Sequence, residues 1–152
     1  MEIQFSEITE CGQVSVTEIN RLLCQLSPHA TPISEKQMKE IISAPNSHMF
    51  VVLEREKVIG MVTIGTYQTP TGRKAWIEDV VVDEIYRGHG YGRLLIERAI
   101  HFINQSRETT LMLTSRPERE AANKLYQSIG FTRKQTNVYK MEFGKRKISQ
   151  RS

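Results

Sequence analysis

Residues 75–95 read Ala75-Trp76-Ile77-Glu78-Asp79-Val80-Val81-Val82-Asp83-Glu84-Ile85-Tyr86-Arg87-Gly88-His89-Gly90-Tyr91-Gly92-Arg93-Leu94-Leu95. The run predicts a strand, a short turn, a glycine-rich loop and a helix start. The strand is β-branched and mostly apolar, the composition of a buried strand. It nevertheless carries two adjacent carboxylates, Glu78 and Asp79. Strict alternation sends them to opposite faces of the sheet and puts Glu78 on the face of Val80 and Val82. A carboxylate in such a place needs a partner or a task.

Gly88, Gly90 and Gly92 follow at alternate positions. Glycines before a helix let the backbone approach a ligand, and the first-turn N–H groups favour an anion such as a phosphate. Arg87 and Arg93 add positive charge on either side. The spacing G-x-G-x-G is not the dinucleotide fingerprint G-x-G-x-x-G, and no Lys-Ser/Thr pair follows as a P-loop requires. What fits is R-x-x-G-x-G, carried by Arg87, Gly90 and Gly92.

Working outward, Ile3 to Thr9 alternates as a strand. Val16, Ile19, Leu22, Leu23 and Leu26 keep helical spacing. Ser34-Glu35-Lys36-Gln37 has the form of a capping box opening a second helix to about Ser43. Met49–Leu53 and Val58–Tyr67 predict a hairpin, and Thr69-Pro70-Thr71-Gly72 a turn into the central strand. Beyond the glycine loop come a helix from Tyr91 to about Ser106 and a strand at Leu111–Thr114. A helix opened by Pro117 and stopped by Gly130 follows, and then a last strand at Val138–Phe143. Hairpins mixed with helical crossovers imply an α/β sandwich around a mixed sheet.

The 152 residues suffice for one domain with a core, and 39% apolar with 25% charged residues is ordinary globular composition. The net charge of +4 is localised. Residues 144–152 contain Lys145, Arg146, Lys147 and Arg151 and no acid, which leaves 17 acidic side chains balanced by as many basic ones. A neutral domain with a basic, solvated tail argues against a nucleic-acid-binding face. Met1-Glu2-Ile3-Gln4-Phe5 lacks the basic start and apolar run of a signal peptide, and no run has membrane-spanning length. A cytoplasmic protein is expected, with Cys11 and Cys24 reduced and structural. His29, His48, His89 and His101 show no metal-ligand spacing.

A second motif makes the first specific. Asn123-Lys124-Leu125-Tyr126 with Gly130-Phe131 resembles the N-x-x-Y…G-F signature of the GNAT N-acetyltransferase superfamily, whose acyl-CoA loop the R-x-x-G-x-G run also resembles. Taken alone, Tyr126 reads as a core tyrosine on the stripe Ala122, Leu125, Tyr126 and Ile129; the first motif upstream and the matching element order turn the reading to the signature. The resemblance runs from the first strand to Phe143 and is nearest to small bacterial single-domain members. Ile77–Val82 is similar to the strand of glucosamine-phosphate and polyamine acetyltransferases.

The resemblance implies a GNAT-type mixed sheet with helices on both faces, a domain over residues 1–143 and a disordered tail over 144–152. It implies transfer of an acetyl group from acetyl-CoA to a primary amine by direct attack in a ternary complex, without a metal. Glu78 would be the general base and Tyr126 the acid toward the CoA thiolate. Val80, Val81 and Val82 would line the pantetheine arm, with the Val80 N–H on the thioester carbonyl. Arg87, Gly88, His89, Gly90, Tyr91, Gly92 and Arg93 would hold the pyrophosphate. Asn123 and Tyr126 would complete the CoA contacts. The alternative is a non-catalytic acyl-CoA sensor or interaction module. The expected partners are acetyl-CoA and an amine acceptor, with no membrane and no nucleic acid; a homodimer is left open. The Ser27–Ile33 and Tyr67–Lys74 loops are candidate acceptor walls.

Overall fold

Alternating apolar residues and tight turns produce a run of antiparallel strands before any crossover is needed. The computed structural model describes residues 2–105 and 107–144. Strands β1 (Ile3–Glu7), β2 (Ser47–Glu54), β3 (Lys57–Thr69), β4 (Gly72–Val82) and β5 (Thr109–Met112) form one sheet in the order β1-β2-β3-β4-β5. The first three pairings are antiparallel and β4–β5 is parallel, so the sheet is mixed as expected. Helices α1 (Val16–Leu26) and α2 (Glu35–Ser43) lie between β1 and β2, and α3 (Tyr91–Asn104) makes the crossover from β4 to β5. The chain divides into Met1–Glu118, which holds all of these, and Arg119–Ser152, which holds α4 (Glu120–Ile129).

The helix starts follow local rules. Ser15 accepts from the Thr17 amide to cap α1, and Ser34 with Gln37 closes the capping box of α2. Ile19 and Leu22 of α1 and Met38 of α2 pack with Met49, Val51, Val58, Met61 and Val81 on one sheet face. The opposite face is covered by α3. There Phe102 meets Phe50 edge-on at 5.0 Å, Phe50 stacks on Phe5 at 5.3 Å, and Leu95, Ile96 and Ala99 are fully buried. Helices therefore flank both faces.

Three boundaries differ from the sequence reading. Strand β5 begins at Thr109 and ends at Met112, two residues earlier than expected at each end. Helix α4 begins at Glu120 after Arg119, so Pro117 lies before the helix and not at its first turn. Val138–Phe143 joins no ladder among the described residues, and Val138, Tyr139, Met141 and Phe143 are largely exposed. The expected last strand is thus not formed. A strand needs a paired edge, and alternation alone does not supply one. Cys11 and Cys24 are free and exposed, so neither is a core residue. The basic residues of the tail lie outside the described residues.

Helix α3 approaches the sheet closely because Gly60 has no side chain. A Cβ there would stand 3.1 Å from Leu95 Cδ1 and 3.3 Å from the Val81 carbonyl oxygen. Gly60→Ala should lower stability by about 1–2 kcal/mol through overpacking, measured as a lower urea midpoint with an unchanged slope.

Candidate active site

The site grows from an irregularity in β4. Thr63 pairs with Glu78, but Met61 pairs with Val81, so two steps along β3 match three along β4. The extra residue is a β-bulge, and Asp79 within it adopts a left-handed φ of 51°. Asp is among the few side chains that tolerate this conformation. The bulge resets the parity. Glu78 shares its face with Val81, which is buried in the α1/α2 core, while Val82, opposite Gly60, faces the α3 side. The placement of Glu78 on the face of Val80 and Val82 is therefore corrected.

The second irregularity is an unequal pairing. Strand β5 pairs with β4 only from Arg73↔Thr109 to Trp76↔Met112. Beyond Trp76, the outer edge of β4 has no ladder partner among the described residues. That edge runs from Ile77 through Val80, Val81 and Val82 to the glycine loop. It offers backbone amides and carbonyls in strand geometry to any extended ligand. Glu78 lies on this stretch and is exposed. Partial burial of its carboxyl, and secondarily the charge of Asp79, push its pKa upward.

The loop is held by its own polar groups. Asp83 is 2% exposed and ends β4. Its Oδ1 accepts from the Ile85 amide at 3.2 Å and so caps the single 3-10 turn Glu84–Tyr86. Its Oδ2 accepts from Arg21 of α1 at 2.5 Å. Arg21 also donates to Glu18 and to the Val58 carbonyl at 2.6 Å, while Gln25 accepts from the Glu84 amide at 2.8 Å. Burial alone would raise the Asp83 pKa, but the bonds from Arg21 and the Ile85 amide outweigh it and hold the carboxyl below its ordinary value. Helix α1 thus fixes the root of the loop. Sequence reasoning missed both residues; the usable signal was an Asp closing an apolar strand just before a turn.

Further along, Arg87 Nε donates to the Val82 carbonyl at 3.0 Å. His89 Nδ1 donates to the Tyr86 and Arg87 carbonyls at 3.1 and 3.0 Å, and Tyr86 donates to Glu54. Gly88 and Gly90 have φ of 81° and 87°, which only glycine adopts freely. Gly90 is the N-cap of α3 and supplies no side-chain acceptor for the first-turn amides. Those amides, beginning at Tyr91 and Gly92, with the helix dipole behind them, suit an anion. Arg93 pairs with Glu97 at 2.6 Å, an exposed contact of little energetic weight.

In the second unit, Asn123 and Tyr126 occupy α4 three residues apart and so share a helix face. Tyr126 is buried, stands edge-on to Phe131 at 6.1 Å, and its phenol is pushed up chiefly by burial, so it is protonated at neutral pH. The structure therefore places Glu78, Val80, Val81, Val82 and residues 87–93 along one continuous path in the first unit, and Asn123 and Tyr126 together in the second. The expected loop Tyr67–Lys74 is instead the end of a hairpin, with β3 reaching Thr69 and β4 starting at Gly72. Among the described residues no group of three or more His, Cys, Asp or Glu could hold a metal ion, and no helix is long and apolar enough to cross a membrane.

Residues 16–131 match the Acetyltransferase (GNAT) family. The chain belongs to that family. It is similar to an N-acetylaspartate synthetase from Xenopus tropicalis, with 27% identity over 113 residues. That match covers 74% of this chain and 40% of the relative, so the chain spans well under half of that protein. Among solved structures, an aminoglycoside acetyltransferase from an uncultured soil metagenomic sample superposes with a TM-score of 0.80 at 18% identity, covering 94% of this chain and 97% of that one. An aminoglycoside N-acetyltransferase in complex with CoA superposes with a TM-score of 0.76 at 16% identity, covering 94% and 96%. Both likenesses are of fold, and they bear out the fold class expected from the motifs.

Asp83→Asn leaves Arg21 facing a neutral amide in a buried place. It should cost about 3 kcal/mol at pH 7, the lower end for a broken buried pair because Arg21 itself reaches solvent. A depressed carboxyl stabilises above its unfolded pKa and loses that effect as pH falls through its folded pKa. The gap between wild type and variant in chemical denaturation should therefore be full at pH 6–7 and shrink below about pH 4.

Proposed function

We propose that the chain transfers an acetyl group from acetyl-CoA to a primary amine, and that one observation carries the reading. Among the described residues the outer edge of β4 is unpaired from Ile77 onward, and one short turn and the glycine loop lead from it to a glycine-started helix N-terminus. An acyl-CoA is an extended amide-bearing arm that ends in a pyrophosphate. The edge at Val80–Val82 suits the arm, and the loop from Gly88 to Arg93 suits the phosphates. Arg87, already bonded to the Val82 carbonyl, ties the two parts together.

The chemistry then falls to this chain's side chains and amides. An alkylammonium of pKa about 10 must lose a proton to become a nucleophile. Glu78 takes that proton, directly or through a water, and its raised pKa makes it a better base than a surface glutamate. The Val80 N–H polarises the thioester carbonyl. Tyr126, protonated at neutral pH, gives a proton to the departing thiolate, whose pKa of about 8.5 makes modest help sufficient. Asp79 serves the backbone, since its place in the bulge sets where Glu78 stands. Catalysis is favoured over a purely binding role because a carboxyl with raised pKa stands on the same edge that suits the acyl donor.

Glu78→Gln should lower kcat by about 10²-fold with acetyl-CoA affinity retained. Because the base must be ionised, wild-type kcat/KM should rise with pH through a midpoint above about 4.3, the ordinary glutamate value, and the variant should lack that limb. A wild-type profile in the variant would exclude Glu78 as the base.

Tyr126→Phe keeps the ring and removes the hydroxyl. An acid role predicts a kcat loss of about 10²-fold with stability near wild type, read by pre-steady-state release of free thiol. Unchanged release would return Tyr126 to a packing role.

A further inference from the structure

One sheet face is covered unevenly. On the α3 side Val62, Ile64 and Thr66 of β3 are buried in succession. On the α1/α2 side Met61 is buried, but Thr63 and Gly65 are half-buried and Tyr67 is 48% exposed. Among the described residues the cover over this face thins from Thr63 toward the end of the hairpin. A Cβ on Gly65 would meet nothing within 4 Å.

The register states which side chains share this open floor. Glu78 lies opposite Thr63, Trp76 opposite Gly65, and Lys74 opposite Tyr67. All precede the bulge, so Glu78, Trp76 and Lys74 point the same way. Trp76 Nε1 donates to Tyr67 Oη at 3.0 Å, which ties the two aromatic side chains together beside Gly65. At about 3.3 Å per residue, Glu78 stands about 7 Å from Trp76 and about 13 Å from Lys74 along the strand. The order is a carboxylate, an aromatic pair, then a cation.

We propose that this strip of the sheet face is the acceptor subsite, and that it takes a primary amine carrying one positive charge on a flat, apolar body. The inference rests on the transferase reading above and names its substrate class. The amine end faces Glu78, and the body lies on Trp76 and Tyr67, with Gly65 leaving room beneath it. A second cation near the far end would meet Lys74 and be repelled, so a linear polyamine is a poor fit. A short alkylamine reaches Glu78 but leaves the aromatic surface uncovered, forfeiting its contact area.

Trp76 is the chain's one tryptophan, so its fluorescence reports occupancy of this face without turnover. The full chain saturated with CoA is titrated with phenethylamine, n-butylamine and spermidine, and the same amines are assayed with acetyl-CoA. Phenethylamine should perturb Trp76 and bind about tenfold or more tightly than the other two, a difference of about 1.4 kcal/mol. Tyr67→Ala should raise the phenethylamine KM about tenfold with kcat and the acetyl-CoA KM little moved, as loss of uniform binding requires. Tyr67→Phe, which keeps the ring, should recover most of that loss. Lys74→Glu should raise kcat/KM for spermidine about tenfold, since one charge is reversed close to the second cation. Equal binding of the three amines, or a phenethylamine KM indifferent to Tyr67→Ala, would overturn the subsite while leaving the transferase reading intact. Tight phenethylamine binding with no acetylation of any amine would uphold the subsite and overturn the reaction.

Discussion

Everything at the site depends on β4 being matched along one edge and only half matched along the other. On the β3 side the ladder runs from Thr69↔Gly72 to Gly60↔Val82, interrupted by one bulge. On the β5 side it covers four residues. A fully paired β4 would bury its amides in the sheet and leave no backbone for a ligand. A wholly unpaired strand would not hold its shape. The compromise is a strand rigid enough to present groups and open enough to offer them. The bulge tightens the arrangement, because it turns Val81 into the core and leaves Glu78 at the rim.

That geometry would be loose without the contact that closes the end of β4. Several ion pairs occur, and they differ greatly in weight. Arg93–Glu97 and Lys140–Glu142 stand in water and contribute at most about 1 kcal/mol each. Asp83 is removed from water, and Arg21 and the Ile85 amide satisfy it together. Desolvating such a carboxylate costs several kcal/mol unless its bonds are made. The pair is thus a weak source of net stability, and it ties the placement of α1 to the end of β4. The same carboxylate caps the turn that enters the glycine loop, so the core face under α1 and the ligand-facing loop share one anchor.

What the sequence disclosed follows the range of the forces involved. The capping box at Ser34, the α1 stripe and the hairpin at Glu54–Lys57 are decided within a few residues, and all were legible. The glycine loop was legible too, because Gly88 and Gly90 are needed for backbone conformations other residues avoid. The bulge was not. It depends on how β4 meets β3, and Glu78-Asp79-Val80 looks the same under either parity. The short β5 is likewise a pairing outcome, since Leu113 and Thr114 have strand character but no β4 partner. The Trp76–Tyr67 contact joins residues on two strands and leaves no local pattern. The Arg21–Asp83 bond joins residues far apart in the chain and is equally silent. Val138–Phe143 shows the converse error, where a clear pattern finds no ladder.

That stretch has a colloidal consequence. Val138, Tyr139, Met141 and Phe143 expose 71%, 89%, 78% and 82% of their surfaces within six residues. Their spacing puts three of them on one side of an extended backbone that has no sheet neighbour among the described residues. Such a ribbon is sticky in proportion to concentration, because a like ribbon supplies both the missing neighbour and the missing cover. Lys140 and Glu142 interleave opposite charges, bonded to each other at 3.0 Å, and so add little net repulsion to keep two ribbons apart. Val138–Phe143 is therefore the stretch through which self-association should begin, and that association should grow with protein concentration.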